Sequence, residues 1–465
     1  MRLMRKEMIK LGLAGFCALT LAACAITPAP DHAALKQAAL AELQFPANWK
    51  FARSAGEFDA AALGFALPTE VLQLIREAQQ NNPDLRLAAL RVEQSHSAVK
   101  AAGAALYPTL GVGGQAGDAT IPSSSLAMNG LALVTNWEID VWGKTRSSQA
   151  ASRELSVAAE LDTLYARQSV AAAVVKAWLA AAEAQQQIQL VQSMVVLAEK
   201  QLALIESAKK IGRNTQQDVL NNQILLKNYR QQLLQSEQAF SSARRALEVL
   251  LGRYPAAEVA VAHSLPRELQ PIPVGLPSDL AERRPDIRAA ESRFRAAFYQ
   301  VEAAKKAKLP SVSLMAGLGV LDNSLLVLQK DLSNPLWGVN SRLLAPIFTG
   351  GALDAQVEVK TLQQQESTVN YAKTVLNALA EIEGGLYAEQ KLLERGDLLA
   401  ALLADQQKLI DLQGVMIKVG KGDRYQLQQL QLNLANSQMS MLRIQNERLI
   451  QRVNLHLALG GIYPV

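Results

Sequence analysis

Pro83-Asp84-Leu85-Arg86 returns 202 positions later as Pro285-Asp286-Ile287-Arg288, and the match runs on without a gap. Arg91 answers to Arg293, Val99 to Val301, Ala101-Ala102 to Ala303-Ala304 and Pro108 to Pro310. Between 83 and 110, 10 of 28 positions are identical, including two prolines 25 residues apart in each copy. Unrelated helices have no reason to keep that spacing, so the chain is duplicated and must be read as two copies of one plan. Farther on, Gly212, Arg244 and Gly252 match Gly420, Arg452 and Gly460 at an offset of 208. The unit is about 200 residues, far longer than a solenoid repeat.

Length alone would allow about three domains in 465 residues. The duplication argues instead for one structure of two similar halves. Aromatics are only 5%, and Ala, Leu and Gln dominate, the balance of long helices in contact rather than of a thick core. The net charge is +5, of which Arg2, Arg5, Lys6 and Lys10 against Glu7 supply +3. The remainder is no nucleic-acid footprint.

Residues 1–23 read as a lipoprotein signal peptide: a basic start, then an apolar run over 11–23 too short for an ordinary membrane span. The run ends in Leu21-Ala22-Ala23-Cys24, which resembles the bacterial lipobox, whose Cys is acylated (palmitate among the chains) and becomes the mature N-terminus. Ala25 after the Cys favours passage to the outer membrane in lipoproteins of this kind. Cys17 would leave with the signal, so the mature chain has no second thiol for an intrachain disulfide. No later stretch reaches 18 consecutive apolar residues. A mature chain that spans a membrane would have to do so with strands.

Residues 24–66 form an N-terminal tether, and the first repeat occupies 67–260. Its opening helix over 67–106 admits Pro83 after Asn82 as a helix start and stops at Tyr107-Pro108. A β-hairpin follows over 107–142. The stretch after Pro108 is Gly-rich, and from Met128 Leu131, Leu133, Thr135, Trp137, Ile139 and Val141 alternate onto one side. A long helix is predicted over 144–211, about 100 Å at 1.5 Å per residue, with a heptad seam of Ile188, Val195 and Leu202 beside Val191, Ala198 and Ile205. Gly212 ends it, Thr215 caps the next, and a return helix runs over 216–251. After a linker at 261–284 the second repeat, 285–465, follows the same plan. It has a helix, a hairpin over 311–348, a long helix over 352–419, Gly420 as the stop, Asp423 as the cap and a return helix over 424–459. The two short helices of each half, stacked end to end, match the long one, which implies a wall of helices about 100 Å tall with strands at one end. Tyr107, Trp137, Trp142, Trp337 and Phe348 stand near the hairpin ends, where an interfacial girdle would place them.

Motifs for chemistry fail on inspection. Gly143-Lys144-Thr145 imitates a phosphate loop, but the position that needs Gly is Glu138. Gly111-Val112-Gly113-Gly114 imitates a dinucleotide loop but lies inside a strand. His32, His96, His263 and His456 have no metal-ligand spacing, His96 and His456 reading as packing residues. No nucleophile elbow occurs. The expectation is no enzyme, no cofactor and no metal. Two strands per half make four per chain, too few to close a barrel of at least eight. Closure requires association, with eight strands from a dimer or twelve from a trimer. Eight leave an interior filled by side chains, so only twelve offer an open lumen.

Several stretches together resemble the TolC-like outer membrane factor family in its lipoprotein branch. They are Leu276-Pro277, Arg284-Pro285-Asp286-Ile287-Arg288-Ala289-Ala290-Glu291, Trp137-Glu138-Ile139-Asp140-Val141-Trp142-Gly143, Pro346-Ile347-Phe348-Thr349-Gly350-Gly351 and the Cys24 lipobox. The resemblance covers 24 to about 461. It implies a mainly α chain with a transmembrane β part, a trimer closing a 12-stranded β-barrel in the outer membrane, and a 12-helix periplasmic α-barrel. It implies the role of exit duct in a tripartite pump, with a periplasmic adaptor (membrane fusion protein) and an inner-membrane resistance-nodulation-division transporter as partners. The family's adaptor-facing tips map onto Gly212, Arg213, Asn214, Asp218 and Val219, and onto Gly420, Lys421, Asp423 and Tyr425. Its aperture maps onto Tyr425, Gln429 and Leu432. Where the family often places an acidic residue and an Arg, this chain has Gln429 and Leu432, so the ring of carboxylates is missing. The alternatives are the exit of a type I protein-secretion system, which the lipobox and the Arg-Pro-Asp-Ile-Arg wording disfavour, and a periplasmic coiled-coil adaptor or scaffold lipoprotein. Two duplicated hairpins argue against the second. An anchored periplasmic enzyme lacks any supporting constellation.

Overall fold

A computed structural model gives the architecture of the chain. It describes residues 40, 48–52, 59, 61, 63–121, 124–261, 265, 266, 269–271, 274, 275, 277, 280–323 and 336–463. The signal segment, Cys24, His32 and His263 lie outside the described residues, with most of the tether and the two hairpin turns. The first copy runs α1 (Thr69–Asn81), α2 (Pro83–Ala104), β1 (Thr109–Ile121), β2 (Ser124–Ile139), α3 (Lys144–Lys210) and α4 (Gln216–Leu250). The second runs α5 (Pro285–Lys306), β3 (Ser311–Asn323), β4 (Leu336–Leu344), α6 (Ala352–Lys418) and α7 (Arg424–Ala458), after a single turn at Leu280–Arg283. Both long helices have 67 residues, and α6 continues unbroken through Gly384, Gly385 and Gly396. Both return helices have 35.

The compact units of the molecule do not follow the repeat. One unit comprises Arg91–Glu160 and Ala289–Lys373; the other comprises the described residues of Gln44–Leu90, Leu161–Arg288 and Thr374–Val465. Each unit therefore draws on both copies, and α3 and α6 belong in part to each. The boundary expected near 261–284 divides the sequence and not the packing.

In the first unit the two hairpins join into one antiparallel sheet in the order β1-β2-β3-β4. Directly paired residues share a face, so the register sorts the side chains. Leu110, Val112, Leu131, Leu133, Trp137, Leu314, Leu318, Trp337, Val339 and Leu343 fall on one face. Thr109, Gly111, Gly113, Asn136, Glu138, Ser313, Gly317, Gly319, Gly338, Asn340 and Arg342 fall on the other. The apolar alternation seen from Met128 thus belongs to a longer strand, because backbone pairing extends β2 back to Ser124. Trp137-Glu138-Ile139-Asp140-Val141-Trp142-Gly143 builds the corner from β2 into α3. Asp140 caps the helix, accepting from the amides of Thr145 (3.0 Å) and Arg146 (2.9 Å). Burial pushes its carboxyl up, but these bonds more than offset that and leave it below its usual value. Gly143 takes φ +76°. The indoles of Trp137 and Trp142 donate to the carbonyls of Leu106 (2.9 Å) and Pro310 (2.6 Å), tying each hairpin base to the chain beside it. Lys144 pairs with Glu138 at 2.6 Å.

In the second unit the repeat shows as a shared joint. The residue before each proline is kept out of the helical region, and Asn82 accordingly sits at ψ 126° between α1 and α2. Its side-chain oxygen accepts from the amides of Asp84 and Leu85, and its amide donates to the carbonyl of Leu250 at 2.9 Å. Arg284, the matching residue of the second copy, donates to the carbonyl of Ala458 at 3.0 Å. Ala458 is the counterpart of Leu250, so both copies dock the end of a return helix onto the start of the helix before the hairpin. Gly252 (φ +72°) and Gly460 (φ +81°) turn the chain at these joints. A Cβ at Gly252 would meet the carbonyl oxygen of Asn81 at 2.6 Å. Arg284 is 2% exposed and is held by Asp286 and Glu381, each at 2.7 Å. Burial disfavours its charge, but the two carboxylates more than offset that and keep it firmly cationic.

The core of this unit gathers Ile75, Val174, Val175, Trp178, Leu179, Leu247, Leu251, Leu449 and Val453, all essentially without exposure. By length and composition α3 would also pass as a membrane-crossing helix, yet it is more than three times a span of about 20 residues. Its Val170–Ala182 stretch faces this core, whereas the stretch apolar enough to pass is a different one, only 28% buried. Lower down, Val191, Ala198 and Ile205 are buried as expected of the heptad, but Ile188, Val195 and Leu202 are only half-buried. Met194 and Gln201 take the second buried stripe instead. The cause is the pair of partners: α3 packs at once on Leu226 and Tyr229 of α4 and on Leu432, Ala435 and Met439 of α7. That rotates the seam by one position on its second stripe. In the first unit His96 is exposed and not the packing residue expected, because its ring reaches outward to hydrogen-bond Glu160 at 3.0 Å; in the second, buried His456 lies edge-on to Tyr463.

Removing Arg284 strands a buried carbonyl and two carboxylates. Arg284→Met should therefore lower unfolding stability by about 3 kcal/mol, whereas Arg395→Met, which breaks only the exposed pair with Glu447, should cost under about 1 kcal/mol. Thermal unfolding in detergent followed by circular dichroism measures both; equal shifts would remove the joint from its stabilising role.

Candidate functional site

The two helix reversals are built alike. After α3, the Arg213 amide donates to the carbonyl of Ala208 and the Gly212 amide to that of Lys209, both at 2.9 Å. After α6, Lys421 donates to Met416 at 2.9 Å and Gly420 to Ile417 at 3.1 Å. This pair of bonds closes a helix whose next residue is left-handed, and Gly212 (φ +74°) and Gly420 (φ +76°) supply that conformation. Neither has an atom within 4 Å of where a Cβ would stand. Their need for glycine lies in the backbone and not in crowding.

Beyond the glycines the reversals diverge. In the first, Thr215 and Asp218 form a reciprocal capping box: the Asp218 amide donates to the Thr215 hydroxyl at 3.2 Å, and the Thr215 amide to the Asp218 carboxylate at 2.7 Å. The bonds from the Thr215 amide and hydroxyl hold the Asp218 carboxyl below its usual range, and Asn214 adds a longer contact at 3.4 Å. In the second reversal Asp423 caps α7 without a reciprocal box, its side chain accepting from the Tyr425 amide at 2.9 Å. The side-chain amide of Gln413 donates to the Asp423 carbonyl at 3.0 Å. Gly422, the counterpart of Asn214, is the residue that sequence reasoning missed. A Cβ there would stand 2.6 Å from the Ile417 amide nitrogen and 2.8 Å from the Met416 carbonyl carbon. The second turn is thus folded too tightly onto the end of α6 to admit a side chain. Only the unusual Gly-Lys-Gly spacing hinted at it.

Of the residues mapped to the tips, Gly212, Arg213, Gly420, Asp423 and Tyr425 are exposed, as is Lys421, and Asn214 and Asp218 both stand half-buried. Val219 is not a surface group: it is 5% exposed and lies on the buried side of α4. Leu432 is corrected in the same way. It has no exposure and packs with Val191, Met194 and Leu226, because α7 turns its apolar stripe towards α3. Tyr425 and Gln429 remain exposed, so two of the three aperture candidates stand at the surface. Among the described residues no group of three or more His, Cys, Asp or Glu is placed to hold a metal.

The lower part of α6 differs from that of α3. Leu398, Leu402, Leu409, Leu412, Met416 and Val419 recur at alternating spacings of three and four, Asp405 filling the one gap, and all six are exposed. This is a coiled-coil stripe left uncovered by its own chain.

A duplicated chain with a four-stranded sheet apolar on one face, and paired long and short helices ending in glycine reversals, defines a class of membrane duct. The chain belongs to the outer membrane efflux protein family, whose model matches residues 74–253 and 276–461. It is 29% identical to the pyoverdine export outer membrane protein OpmQ of Pseudomonas aeruginosa, over 98% of this chain and 97% of that one. It is 25% identical to the cation efflux system protein CusC of Escherichia coli K12, over 96% and 98%. Among solved structures, the outer-membrane channel OprN superposes with a TM-score of 0.80 at 23% identity, covering 90% of this chain and 97% of that one. The open-state MtrE channel of Neisseria gonorrhoeae gives 0.78 at 25%, covering 90% and 96%. The protein is an outer-membrane efflux channel of a Gram-negative cell, in a family of transport ducts and not of enzymes.

The turn geometry predicts a ranking. Gly420→Val forces a side chain into a left-handed backbone and should cost about 1–3 kcal/mol. Gly422→Ala should also open the turn, whereas Gly414→Ala, with nothing within 4 Å, should leave it closed. Hydrogen exchange across 416–425 measures this, and equal protection in all three variants would refute the tight-turn account.

Proposed function

We propose that the protein is the trimeric exit duct of a tripartite efflux pump, anchored by a lipid on Cys24 and gripped at its helix reversals by a periplasmic adaptor. An inner-membrane transporter of the resistance-nodulation-division type supplies the energy. The observation that carries the trimer is the pair of free sheet edges. The sheet ends at β1 and β4, and in a bilayer each unsatisfied backbone group costs several kcal/mol. β4 of one copy pairing with β1 of the next removes both edges, and three copies give twelve strands. The exposed α6 stripe supports the same assembly, since a neighbouring copy would cover it. The helical parts then form the periplasmic α-barrel.

Adaptor docking is supported by the exposed, rigidly closed reversals, and the aperture reading by exposed Tyr425 and Gln429. With Gln429 in place of an acid, closure there would depend on hydrogen bonding and packing and not on a ring of charge. The cargo is chosen by the pump. A type I secretion exit would use the same duct, and an adaptor of protein-exporting type at the tips would favour it.

Three measurements test this reading. Mass in mild detergent should give three chains, and Leu409→Glu should weaken the trimer by about 1.5–3 kcal/mol, the worth of one buried Leu; a stable monomer or dimer would overturn the geometry. Mass spectrometry should find acyl chains on Cys24, lost in Cys24→Ser; an unmodified wild-type N-terminus would sink the anchor. Cysteines at Arg213 and Lys421 should crosslink to the adaptor and one at exposed Gln235, within α4, should not. Equal crosslinking at all three would place the partner elsewhere.

A further inference from the structure

The face of the sheet opposite its apolar face carries few charges, and they are not equivalent. Register puts Glu138, Ser313 and Arg342 in one row across β2, β3 and β4. Glu138 is already paired with Lys144 at 2.6 Å. It stands two strands from Arg342, about 10 Å away at a strand spacing of about 4.8 Å, too far for an ion pair. Asp140 is taken by Arg146, and Asp354 by Lys308. Arg342 is exposed and has no counter-ion among the described residues. On that face its neighbours are Ser313 opposite, Asn340 and Leu344 along β4, and Ser311 and Met315 diagonally, with the Gly317–Gly338 pair one row beyond Asn340. No atom lies within 4 Å of where a Cβ of Gly338 would stand, and only a carbonyl oxygen at 3.8 Å faces that of Gly317. Local packing therefore does not demand glycine at these positions, and the wall beyond Asn340 is bare of side chains.

We propose that Arg342 forms an anion-selective ring in the duct, favouring cargo that carries a carboxylate or phosphate. The proposal rests on the reading of this face as the wall of an aqueous passage closed by β4 of one copy on β1 of the next. The facing positions of β1 on that side are Thr109, Gly111 and Gly113, so the neighbour brings no carboxylate to neutralise the ring. Three guanidiniums around a narrow passage act together, since charges facing a confined channel raise the local concentration of counter-ions. A planar guanidinium also fits carboxylate and phosphate oxygens two at a time.

The full-length protein in planar lipid bilayers under a KCl gradient tests this through the reversal potential of open events. The unaltered channel should prefer chloride. Arg342→Lys should keep that preference, Arg342→Gln should move the reversal potential towards zero, and Arg342→Glu should invert its sign. Glu138→Gln, which frees Lys144, should strengthen the anion preference. Open channels with the same reversal potential in the unaltered protein, Arg342→Gln and Arg342→Glu would overturn the proposal and leave the duct standing. An unaltered protein that opens no conductance would overturn the duct reading and the proposal with it.

Discussion

A strand in a membrane must find a partner for every backbone N–H and C=O, and this obligation governs the molecule. The chain meets it only in the interior of its sheet, where β2 pairs with β3 and so joins hairpins from opposite copies. Duplication thus supplies the first internal seam, and in the proposed assembly neighbouring copies supply the rest. The residues of the sheet follow from the same demand. One face is apolar enough for lipid, while the other mixes glycines and polar residues with Val134, Met315, Leu336 and Leu344.

The helices answer a different constraint. Each return helix is about half the length of the long helix before it, and in the second unit its end meets the start of the helix that precedes the hairpin. Helix ends leave unsatisfied carbonyls. Asn82 and Arg284 satisfy one each, on Leu250 and Ala458. The two copies solve one problem with different chemistry: a neutral amide in the first, a buried cation with two carboxylates in the second. The sequence match at Pro83 and Pro285 is the mark of this joint, not of a binding site.

Much of the fold could be read in the sequence because its signals are local. Alternation marked the strands, and the glycines at 212 and 420 marked helix ends whose φ values agree. The stretch around Asp140 was recognised by resemblance, and the capping role emerged only with the structure. What escaped was set by neighbours distant in the chain. The second stripe of the α3 seam moved to Met194 and Gln201 because α7, more than 200 residues away, packs there. For the same reason Val219 and Leu432, mapped to tip and aperture by the family resemblance, turn inward. Gly422 escaped because its constraint is a close approach to Ile417, which no period or propensity records.

The divergence of the two reversals has a consequence in symmetry. The proposed trimer would present six reversals around a ring, of two alternating kinds, one braced by a Thr-Asp box and one drawn tight at Gly422. Such a ring would be threefold and only approximately sixfold. Six identical partner molecules could not meet six identical footholds. They would have to settle as three pairs, each pair reading one reversal of either kind, and the ring would thereby fix their rotational setting as well as their number.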